Sequence, residues 1–369
     1  MNALHLTLAT YDENSGVVKK IKAQAKAIQK NGFERVFVGM IDEDLWLDVD
    51  GGKIGRIQSV SNLRGQSQFF KKLENFIINN DIKFIYYRFN AASEPSIIRF
   101  FNKMRKSGIK CVMEIPTYPY DRETKNKNRL TYMDIFTRRF LAGQFNYIVT
   151  FSEDKKIFGK QTINISNGVD FSIIPTKGYQ SHDDFVMIGV ANLMYWHGFD
   201  RVIMGLKGYQ NGLNNRNVKF IIVSGKENDY VMELKNIVNN LGLQEIVRFK
   251  GEVSGADLDE LFNQCDIAIG SLARHRNGIA MLKTLKNVEY AARGIPFIYS
   301  EDNPDFDDMP YVMKVPADES PIDIQSVIDF AQSVKLTPEE IRATVKHLSW
   351  DNQMKKVVDA INILPCNDE

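Results

Sequence analysis

Cysteine is scarce in this chain of 369 residues, which has three at widely separated positions. Cys111, Cys265 and Cys366 form neither a disulfide framework nor a zinc-binding spacing, and they fit a reducing compartment. No apolar run approaches the length of about 18 residues that spans a bilayer. The N-terminal ten residues, MNALHLTLAT, lack a basic segment, so we also predict no secretory signal. We therefore expect a cytoplasmic protein.

Several nucleotide- and metal-binding patterns are absent as well. The chain has no G-x-G-x-x-G segment and no Walker loop, so a dinucleotide cofactor is not predicted. The pairs Asp42/Asp44 and Asp48/Asp50 flank a predicted hairpin turn rather than follow a strand, so they do not indicate a metal site. With no nucleic-acid motif and a net charge of +1, a nucleic-acid partner is not predicted either. We expect no cofactor and no metal.

The small net charge hides a division along the chain. Residues 1–166 contain 27 Lys and Arg against 17 Asp and Glu, whereas residues 167–369 contain 20 against 29. A basic first half can attract an anionic acceptor or the inner face of an anionic membrane. Alternatively, the opposite charges simply help two domains face each other.

The alternation of short apolar strands with amphipathic helices predicts an α/β protein with mostly parallel sheets. A chain of this length favours two domains over one. We place an N-terminal domain at 1–167, a C-terminal domain at 168–349 and a final amphipathic helix at 350–369. The boundary is the turn sequence Asn167-Gly168-Val169-Asp170.

The most informative stretch is 272–300, a basic loop followed by a helix, a glycine turn and an apolar strand. The helix is predicted from Leu282 to Arg293, with Gly294 as its left-handed stop. A helix N-terminus at the carboxyl end of a parallel strand suits a phosphate. Glu289 is a carboxylate on an otherwise apolar face, and it could accept two hydrogen bonds from a ribose diol or be solvated.

The sequence LKNVEYAARGIP, from Leu285 to Pro296, resembles the donor motif of the retaining family 4 of GT-B glycosyltransferases. These are group 1 glycosyltransferases of bacterial surface-polysaccharide synthesis. The resemblance implies two Rossmann-like α/β/α domains, with a C-terminal helix that returns to the first domain. It also implies a nucleotide-sugar donor (UDP or GDP), no metal, and Glu289 as the residue that holds the ribose.

Three positions depart from the family pattern around the donor. Asn192 and His197 stand where the family usually has Arg and Lys, and Met281 replaces a second Glu. A protonated histidine could still donate to a phosphate. We expect other cations to substitute, each with a plain surface charge as the alternative; the candidates are Arg276, Lys283 and Lys226.

Three further residues are assigned to the donor by position. Backbone N–H groups at the helix start, around Leu285, are expected to face the sugar or its phosphates. The segment that ends at Val253 is expected to contact the base, and Gly16 lies in a loop that resembles the family's cover over the phosphates.

The acceptor is expected at the first domain. Glu114 ends an apolar strand and is a candidate base for the acceptor hydroxyl, or else a structural partner of Arg88. Tyr118 offers a ring face for a sugar. The complete set of predicted acceptor-binding residues is Arg88, Asn90, Tyr118 and Asp121.

The acceptor class and the reaction leave alternatives open. Basic and aromatic residues alternate near Phe136, a pattern that fits either an anionic membrane surface or an ordinary amphipathic helix. We expect transfer of a hexose to a glycan or lipid-linked oligosaccharide, with the diphosphate leaving toward Arg276 and Lys283. The alternatives are a nucleotide-sugar epimerase on the same fold and a non-catalytic glycan-binding relative.

Overall fold

The computed structural model describes residues 1–10, 16–42, 44–49, 52–57, 63–90, 94–120, 129–178, 180, 182–212, 216–225 and 227–362. The chain divides into two compact units. The first unit comprises Met1–Ser166 together with Trp350–Glu369, and the second comprises Asn167–Ser349. Each unit is built around its own sheet.

A nine-stranded sheet forms the centre of the first unit, with the strand order β4-β3-β2-β1-β5-β6-β7-β9-β8. The strands are β1 (Asn2–Thr10), β2 (Arg35–Asp42), β3 (Asp44–Val49), β4 (Gly52–Ile57), β5 (Ile82–Arg88), β6 (Lys110–Ile115), β7 (Tyr147–Thr150), β8 (Lys156–Ile157) and β9 (Lys160–Asn164). The pairs that β1 makes with β2 and β5 are parallel, as are β5–β6, β6–β7 and β7–β9. The predicted hairpin corresponds to the antiparallel pair β3–β4.

Amphipathic helices connect these strands because a parallel pair needs a crossover connection. The helices are α1 (Gly16–Lys30), α2 (Leu63–Asn79), α3 (Pro95–Lys106) and α4 (Arg129–Ala142). Strands β5 and β6 are buried along almost their whole length, as expected for strands that are covered on both faces.

The second unit contains a six-stranded, wholly parallel sheet with the order β12-β11-β10-β13-β14-β15. Its strands are β10 (Phe185–Val190), β11 (Val218–Val223), β12 (Val247–Lys250), β13 (Ile267–Ile269), β14 (Phe297–Tyr299) and β15 (Val312–Lys314). Its helices are α5 (Phe199–Gln210), α6 (Asp229–Leu241), α7 (Ala256–Asn263), α8 (Leu285–Arg293), α9 (Ile324–Ser333) and α10 (Pro338–Thr344). The fold class predicted from the alternation, α/β with mostly parallel sheets, is confirmed.

The last helix, α11 (Trp350–Asn362), packs in the first unit against α1. Lys30 Nζ lies 2.8 Å from an Asp351 carboxylate oxygen, and Asn31 Nδ2 donates to the Asp351 carbonyl at 2.9 Å. None of the helices in the described ranges is long and apolar enough to cross a membrane.

Helix α8 begins three residues later than predicted, at Leu285 rather than Leu282. The preceding residues run extended, because Met281 forms a parallel bridge with Asp302. The Leu282 N–H donates to the Asp302 carbonyl at 3.0 Å, which extends this pairing by one residue. The predicted C-terminus is correct, since Gly294 has φ of +76°.

Candidate functional site

The carboxyl ends of β10, β13 and β14 lie side by side in the second sheet. Three segments follow these ends: the turn that contains His197, the basic turn that begins at Arg274, and the segment around Glu301. The N-terminus of α8 belongs to the crossover from β13 to β14, so it opens at the same edge. In open parallel sheets this edge is where ligands bind.

His197 presents a hydrogen-bond donor at this edge. Its side chain is 6% exposed, and its Nδ1 accepts from the Met194 N–H at 3.0 Å. The ring proton therefore resides on Nε2, which has no hydrogen-bond partner among the described residues. Burial, and then the positive charges of Lys286 and Arg274, hold the pKa of His197 well below its usual range. The neutral ring can thus donate from Nε2, and the protonation expected from the sequence is not needed.

Arg276, predicted to hold the donor diphosphate, is engaged by other groups of the second unit. Its guanidinium forms a bidentate ion pair with Asp200, in which Nη1 donates to Oδ1 at 3.0 Å and Nη2 donates to Oδ2 at 2.7 Å. Its Nε also lies 3.0 Å from a Glu319 carboxylate oxygen, and its Nη1 donates to the Tyr195 carbonyl at 2.7 Å. These bonds, with burial opposing them, raise the pKa of Arg276 above its already high value. Arg276 therefore joins the turns of the second unit to one another.

Lys283 is also engaged within the protein. Its side chain is 6% exposed, and its Nζ lies 3.6 Å from an Asp305 carboxylate oxygen. Its carbonyl accepts from Asn167 Nδ2 at 2.6 Å. Lys283 is therefore a buried, paired cation, which does not fit the alternative of a plain surface charge; its role at the leaving group stays a prediction.

Two further cations of the described residues lie in segments at the ligand edge, Arg274 after β13 and Lys286 in the first turn of α8, and neither was predicted as a site residue from the sequence. Both act electrostatically on the Glu301 carboxyl, and Arg274 acts on Lys286. Burial, followed by the Arg274 charge, lowers the pKa of Lys286 to about 7. Burial raises the pKa of Glu301 to about 7, against the opposing effects of Arg274, Lys286 and the backbone N–H groups of Glu301 and Ser300. Arg274 also lies over the Trp196 ring, with its Cζ 5.7 Å from the centroid.

A group of buried polar atoms around this edge has no hydrogen-bond partner among the described residues. The atoms are Ser271 Oγ, Thr284 Oγ1, Lys286 Nζ, both amide atoms of Asn287, both carboxylate oxygens of Glu301, and Asn303 Nδ2. Each unsatisfied buried group costs about 1–3 kcal/mol, and native proteins retain few of them. Such a concentration at one sheet edge indicates a site for a polar ligand or ordered water.

Glu289 lies in the middle of α8 and is 30% exposed. Its Oε1 accepts from Arg293 Nε and Nη2 at 3.1 and 3.0 Å, and Arg293 also pairs with Asp259 at 2.7 Å. In the described part of the chain, Oε2 has no hydrogen-bond partner. This oxygen remains able to accept from a hydroxyl group.

The other predicted donor residues fall in three places. Leu285 is the first residue of α8, and its N-cap residue Thr284 makes no side-chain cap. Asn192 is exposed after β10, with its Oδ1 3.2 Å from the position that a Cβ on Gly225 would occupy. Val253 packs against the apolar cluster of the second unit. Lys226 lies outside the described residues.

In the first unit Glu114 is fully buried and surrounded by donors. It pairs with Arg88 and, at 3.5 Å, with Lys20. Its other oxygen accepts from the Tyr86 hydroxyl at 2.6 Å and from Gln24 Nε2 at 2.7 Å. Burial alone would raise the pKa of Glu114, but the two cations and these hydrogen bonds together lower it to about 2. An enclosed, strongly acidic carboxylate favours the structural alternative over the base.

The remaining predicted first-unit residues are spread around the ends of the strands. Arg88 ends β5 and is 11% exposed, whereas Asn90 is exposed and accepts from Thr7 Oγ1 at 3.4 Å. Tyr118 packs edge-to-face on Phe158. Gly16 is the first residue of α1, and a Cβ added there would meet no atom within 4 Å. Asp121 lies outside the described residues.

Tyr118 also lines a cleft of about 500 Å³ in the first unit. The other side chains that line it include Ile135, Phe136, Arg138, Arg139 and Phe158. The cleft therefore combines aromatic surface with two guanidinium groups.

Two signals in the sequence could have pointed to the residues that were missed. Lys286 lies within the motif segment itself, three positions before Glu289. Glu301 is a charged residue soon after the apolar strand β14, where a parallel sheet presents its ligand edge. In the described residues no group of three His, Cys, Asp or Glu is arranged to hold a metal ion, and independence from metal remains a prediction.

Comparison with protein families gives one match. Residues 171–308 match the family described as glycosyl transferases group 1, a range that contains His197, Arg274, Lys286, Glu289 and Glu301. A comparison with curated protein sequences finds no match.

Solved structures resemble the chain over almost its whole length. Sucrose-phosphate synthase from Thermosynechococcus elongatus is 11% identical with a TM-score of 0.71, and the alignment covers 98% of each chain. Anabaena Alr3699/HepE in complex with UDP is 17% identical with a TM-score of 0.71, covering 99% of this chain and 100% of that one. A further structure of the Anabaena protein, with UDP-glucose, is 15% identical with a TM-score of 0.68 and the same coverage.

At these identities the likeness concerns the fold. The chain has the two-sheet α/β architecture of GT-B glycosyltransferases, and within it residues 171–308 match glycosyl transferases group 1.

Proposed function

We propose that the protein is a glycosyltransferase that moves a hexose from a UDP- or GDP-sugar to a hydroxyl group of a glycan or lipid-linked oligosaccharide, with retention of configuration. The observation that carries this proposal is the set of buried, unpartnered polar groups around Lys286 and Glu301 in the described residues, inside the segment that matches glycosyl transferases group 1. The Anabaena neighbour, whose structures contain UDP and UDP-glucose, supports a nucleotide-sugar donor.

In this proposal the second unit holds the donor. The diphosphate lies at the N-terminus of α8, where free N–H groups and the helix dipole favour an anion. Arg274 and Lys286 supply positive charge, and His197 donates from Nε2. These groups replace the predicted pair Arg276 and Lys283. Glu289 accepts from the ribose hydroxyls through Oε2, while Arg293 holds its other oxygen.

The chemical step needs charge stabilisation rather than an enzymic nucleophile. The bond between the anomeric carbon and the diphosphate breaks, and the acceptor oxygen bonds to the same face of that carbon. The departing phosphate oxygen takes the proton of the acceptor hydroxyl. Donors that are fixed before the reaction stabilise the developing negative charge, and this usually contributes the largest share of such catalysis.

The first unit holds the acceptor in this proposal. Arg88, held in place by the buried Glu114, faces an anionic or hydroxyl-bearing acceptor together with Asn90. Tyr118 contributes aromatic surface in the cleft that also contains Arg138 and Arg139. This combination suits an acceptor with a phosphate next to an apolar or sugar portion.

An assay with radiolabelled UDP-glucose, UDP-galactose, UDP-N-acetylglucosamine and GDP-mannose tests the proposal. Transfer to lipid-linked acceptors from membrane extracts, or slow donor hydrolysis, is expected with at least one donor. Conversion of the donor sugar to its epimer would instead favour an epimerase. Calorimetry with UDP and GDP supplies the remaining distinction, since a non-catalytic glycan-binding relative should bind neither.

We also propose that the first unit contacts an anionic membrane through α4. Tyr132, Phe136 and Phe140 are 54%, 74% and 67% exposed. They are spaced four apart, so they share one face of the helix. Exposed Arg139 lies beside them. Phe100 and Phe101 of the neighbouring α3, which the sequence pattern grouped with them, are buried in the core.

Vesicle cosedimentation tests this contact. The protein should bind phosphatidylglycerol vesicles and not phosphatidylcholine vesicles, because both the aromatic face and the basic charge contribute. Replacing Phe136 with Ser should weaken binding by about tenfold, the equivalent of one lost aromatic contact. The control is Met232→Ser, which removes an apolar side chain that is 48% exposed in the second unit. Equal binding by both variants would contradict the proposal.

A further inference from the structure

Glu301 is the most unusual buried group of the second unit. It is 2% exposed, and neither of its enclosed carboxylate oxygens has a side-chain hydrogen-bond partner among the described residues, although the backbone N–H groups of Glu301 and Ser300 lower the pKa of its carboxyl. A carboxylate can accept about four hydrogen bonds, and leaving it buried without them is costly. A side chain that served only the fold would be expected to have its donors within the protein, as Glu114 has in the first unit.

The nearest positive charges do not satisfy Glu301. Lys286 and Arg274 are close enough to affect its pKa. Yet Lys286 Nζ is itself buried without a hydrogen-bond partner in the described ranges. No hydrogen bond or ion pair therefore joins Glu301 to Lys286 in the described part of the chain. A polar molecule that contacts both groups would satisfy them.

The chemistry of the surrounding groups limits what that molecule can be. Glu301 repels an anion and requires O–H or N–H donors. Lys286 and Arg274 attract an anion. The neighbouring Asn287 amide offers both a donor and an acceptor, and the Asn303 Nδ2 offers a donor. A ligand that carries hydroxyl groups directly beside phosphate groups matches this arrangement, as a sugar attached to a diphosphate does.

The backbone holds Glu301 rigidly in this position. The Ser300 N–H donates to the Ser271 carbonyl at 2.9 Å, and the Asp302 N–H donates to the Ala280 carbonyl at 2.7 Å. Met281 and its bridge partner Asp302 are exposed, whereas Glu301 and Asn303 on either side of Asp302 are buried. Glu301 therefore points to the opposite side from position 281, where the related motif has its second Glu. Such a fixed carboxylate can discriminate between ligands because little motion is lost on binding.

We propose that Glu301 is a specificity-determining residue that accepts hydrogen bonds from hydroxyl groups of the donor's sugar, while Lys286 and Arg274 hold the adjoining diphosphate. This inference rests on the proposed function and adds a residue for the recognition of the sugar. A buried site of this kind rejects an analogue that lacks the hydroxyl, because the carboxylate is then left unsatisfied.

Calorimetry with the purified full-length protein tests the inference. The probes are UDP, GDP and the four nucleotide sugars named above. Wild type should bind one intact nucleotide sugar more tightly than its free nucleoside diphosphate. In Glu301→Gln the affinity for that sugar nucleotide should fall at least about tenfold, while the affinity for the free diphosphate changes little. Glu233→Gln, at an exposed position on α6, is the matched control and should behave as wild type.

Deoxy analogues of the bound sugar nucleotide test the same contact in the unmodified protein. At least one single-hydroxyl deletion should weaken wild-type binding by about tenfold or more. If every deoxy analogue binds like the parent sugar, or if Glu301→Gln binds the sugar nucleotide as wild type does, the inference is wrong. Either result with normal diphosphate binding leaves the proposed function standing. Absence of binding to every nucleotide would contradict the proposed function itself.

Discussion

Replacing Glu114 with Gln tests the buried charge network of the first unit. The variant keeps the shape of the side chain but removes the negative charge from between Arg88 and Lys20. The pKa of Glu114 falls from 4.5 to about 2 on folding. At about 1.4 kcal/mol per pKa unit, this shift corresponds to about 3 kcal/mol of folding free energy at neutral pH. Removing one partner of a buried ion pair typically costs a similar amount, about 3–5 kcal/mol.

The contribution of Glu114 to stability should decrease as the pH is lowered. Because the pKa of Glu114 is depressed in the folded state, its contribution is complete above about pH 4.5 and is lost as the pH falls toward 2. The free energy of unfolding should therefore be lower in Glu114→Gln than in wild type by about 3 kcal/mol at pH 7. At pH 3 the difference should be about half of that. Lys20 contributes less at neutral pH, since burial lowers its own pKa to about 7 against the attraction of Glu114.

Hydrogen-exchange mass spectrometry in increasing urea measures this difference in peptides from β5 and β6, which report on the first unit alone. Glu34→Gln is the control, because its side chain is 77% exposed and should contribute less than about 1 kcal/mol. The prediction is wrong if Glu114→Gln lowers the free energy of unfolding by less than about 1 kcal/mol. It is also wrong if the difference from wild type does not become smaller at low pH.

Three further predictions concern the second unit. Glu289→Ala should weaken binding of UDP or GDP about tenfold or more, because a carboxylate that accepts from the ribose hydroxyls is lost. Its melting temperature should stay near that of wild type. An unchanged dissociation constant in calorimetry would show that Glu289 is not part of the site. The affinity of wild type for the nucleotide should fall as the pH rises above about 7, since Lys286 must be protonated to attract the diphosphate. Lys286→Met should bind the nucleotide more weakly, and its affinity should depend less on pH. Gly294→Ala should lower the melting temperature by several degrees, because φ is +76° and a Cβ would lie 2.3 Å from the Pro338 carbonyl oxygen. Gly208→Ala, with open space around its Cα on α5, should not lower it.

The local pattern was sufficient to identify most elements of both sheets. The apolar strand predicted at the end of the stretch 272–300, for example, is strand β14 in the structure. The start of α8 was wrong by three residues because a bridge to Asp302, about twenty positions along the chain, holds the preceding segment extended. Helix α10 was not predicted, and the sequence offers only its Thr-Pro start and capping glutamate as signals.

The candidate site shows a sharper limit of sequence reasoning. Arg274 and Arg276 are two residues apart and chemically equivalent in the sequence. Only the fold brings Asp200 and Glu319 to Arg276, and places Arg274 near Lys286 and Glu301. The role of Glu114 was left open between base and structural partner for the same reason, because its burial depends on Lys20, Gln24 and Tyr86 from other elements.

The sequence by itself determined the α/β class, the likeness of 285–296 to a donor motif, and the place of Glu289 within it. These properties depend on residue types at short, fixed spacing, which a linear pattern records directly. The tertiary structure alone decided which charges are paired within the protein and which face the ligand edge. Pairing depends on the side chains that distant strands and helices bring within a few ångströms, and on the water that their packing removes.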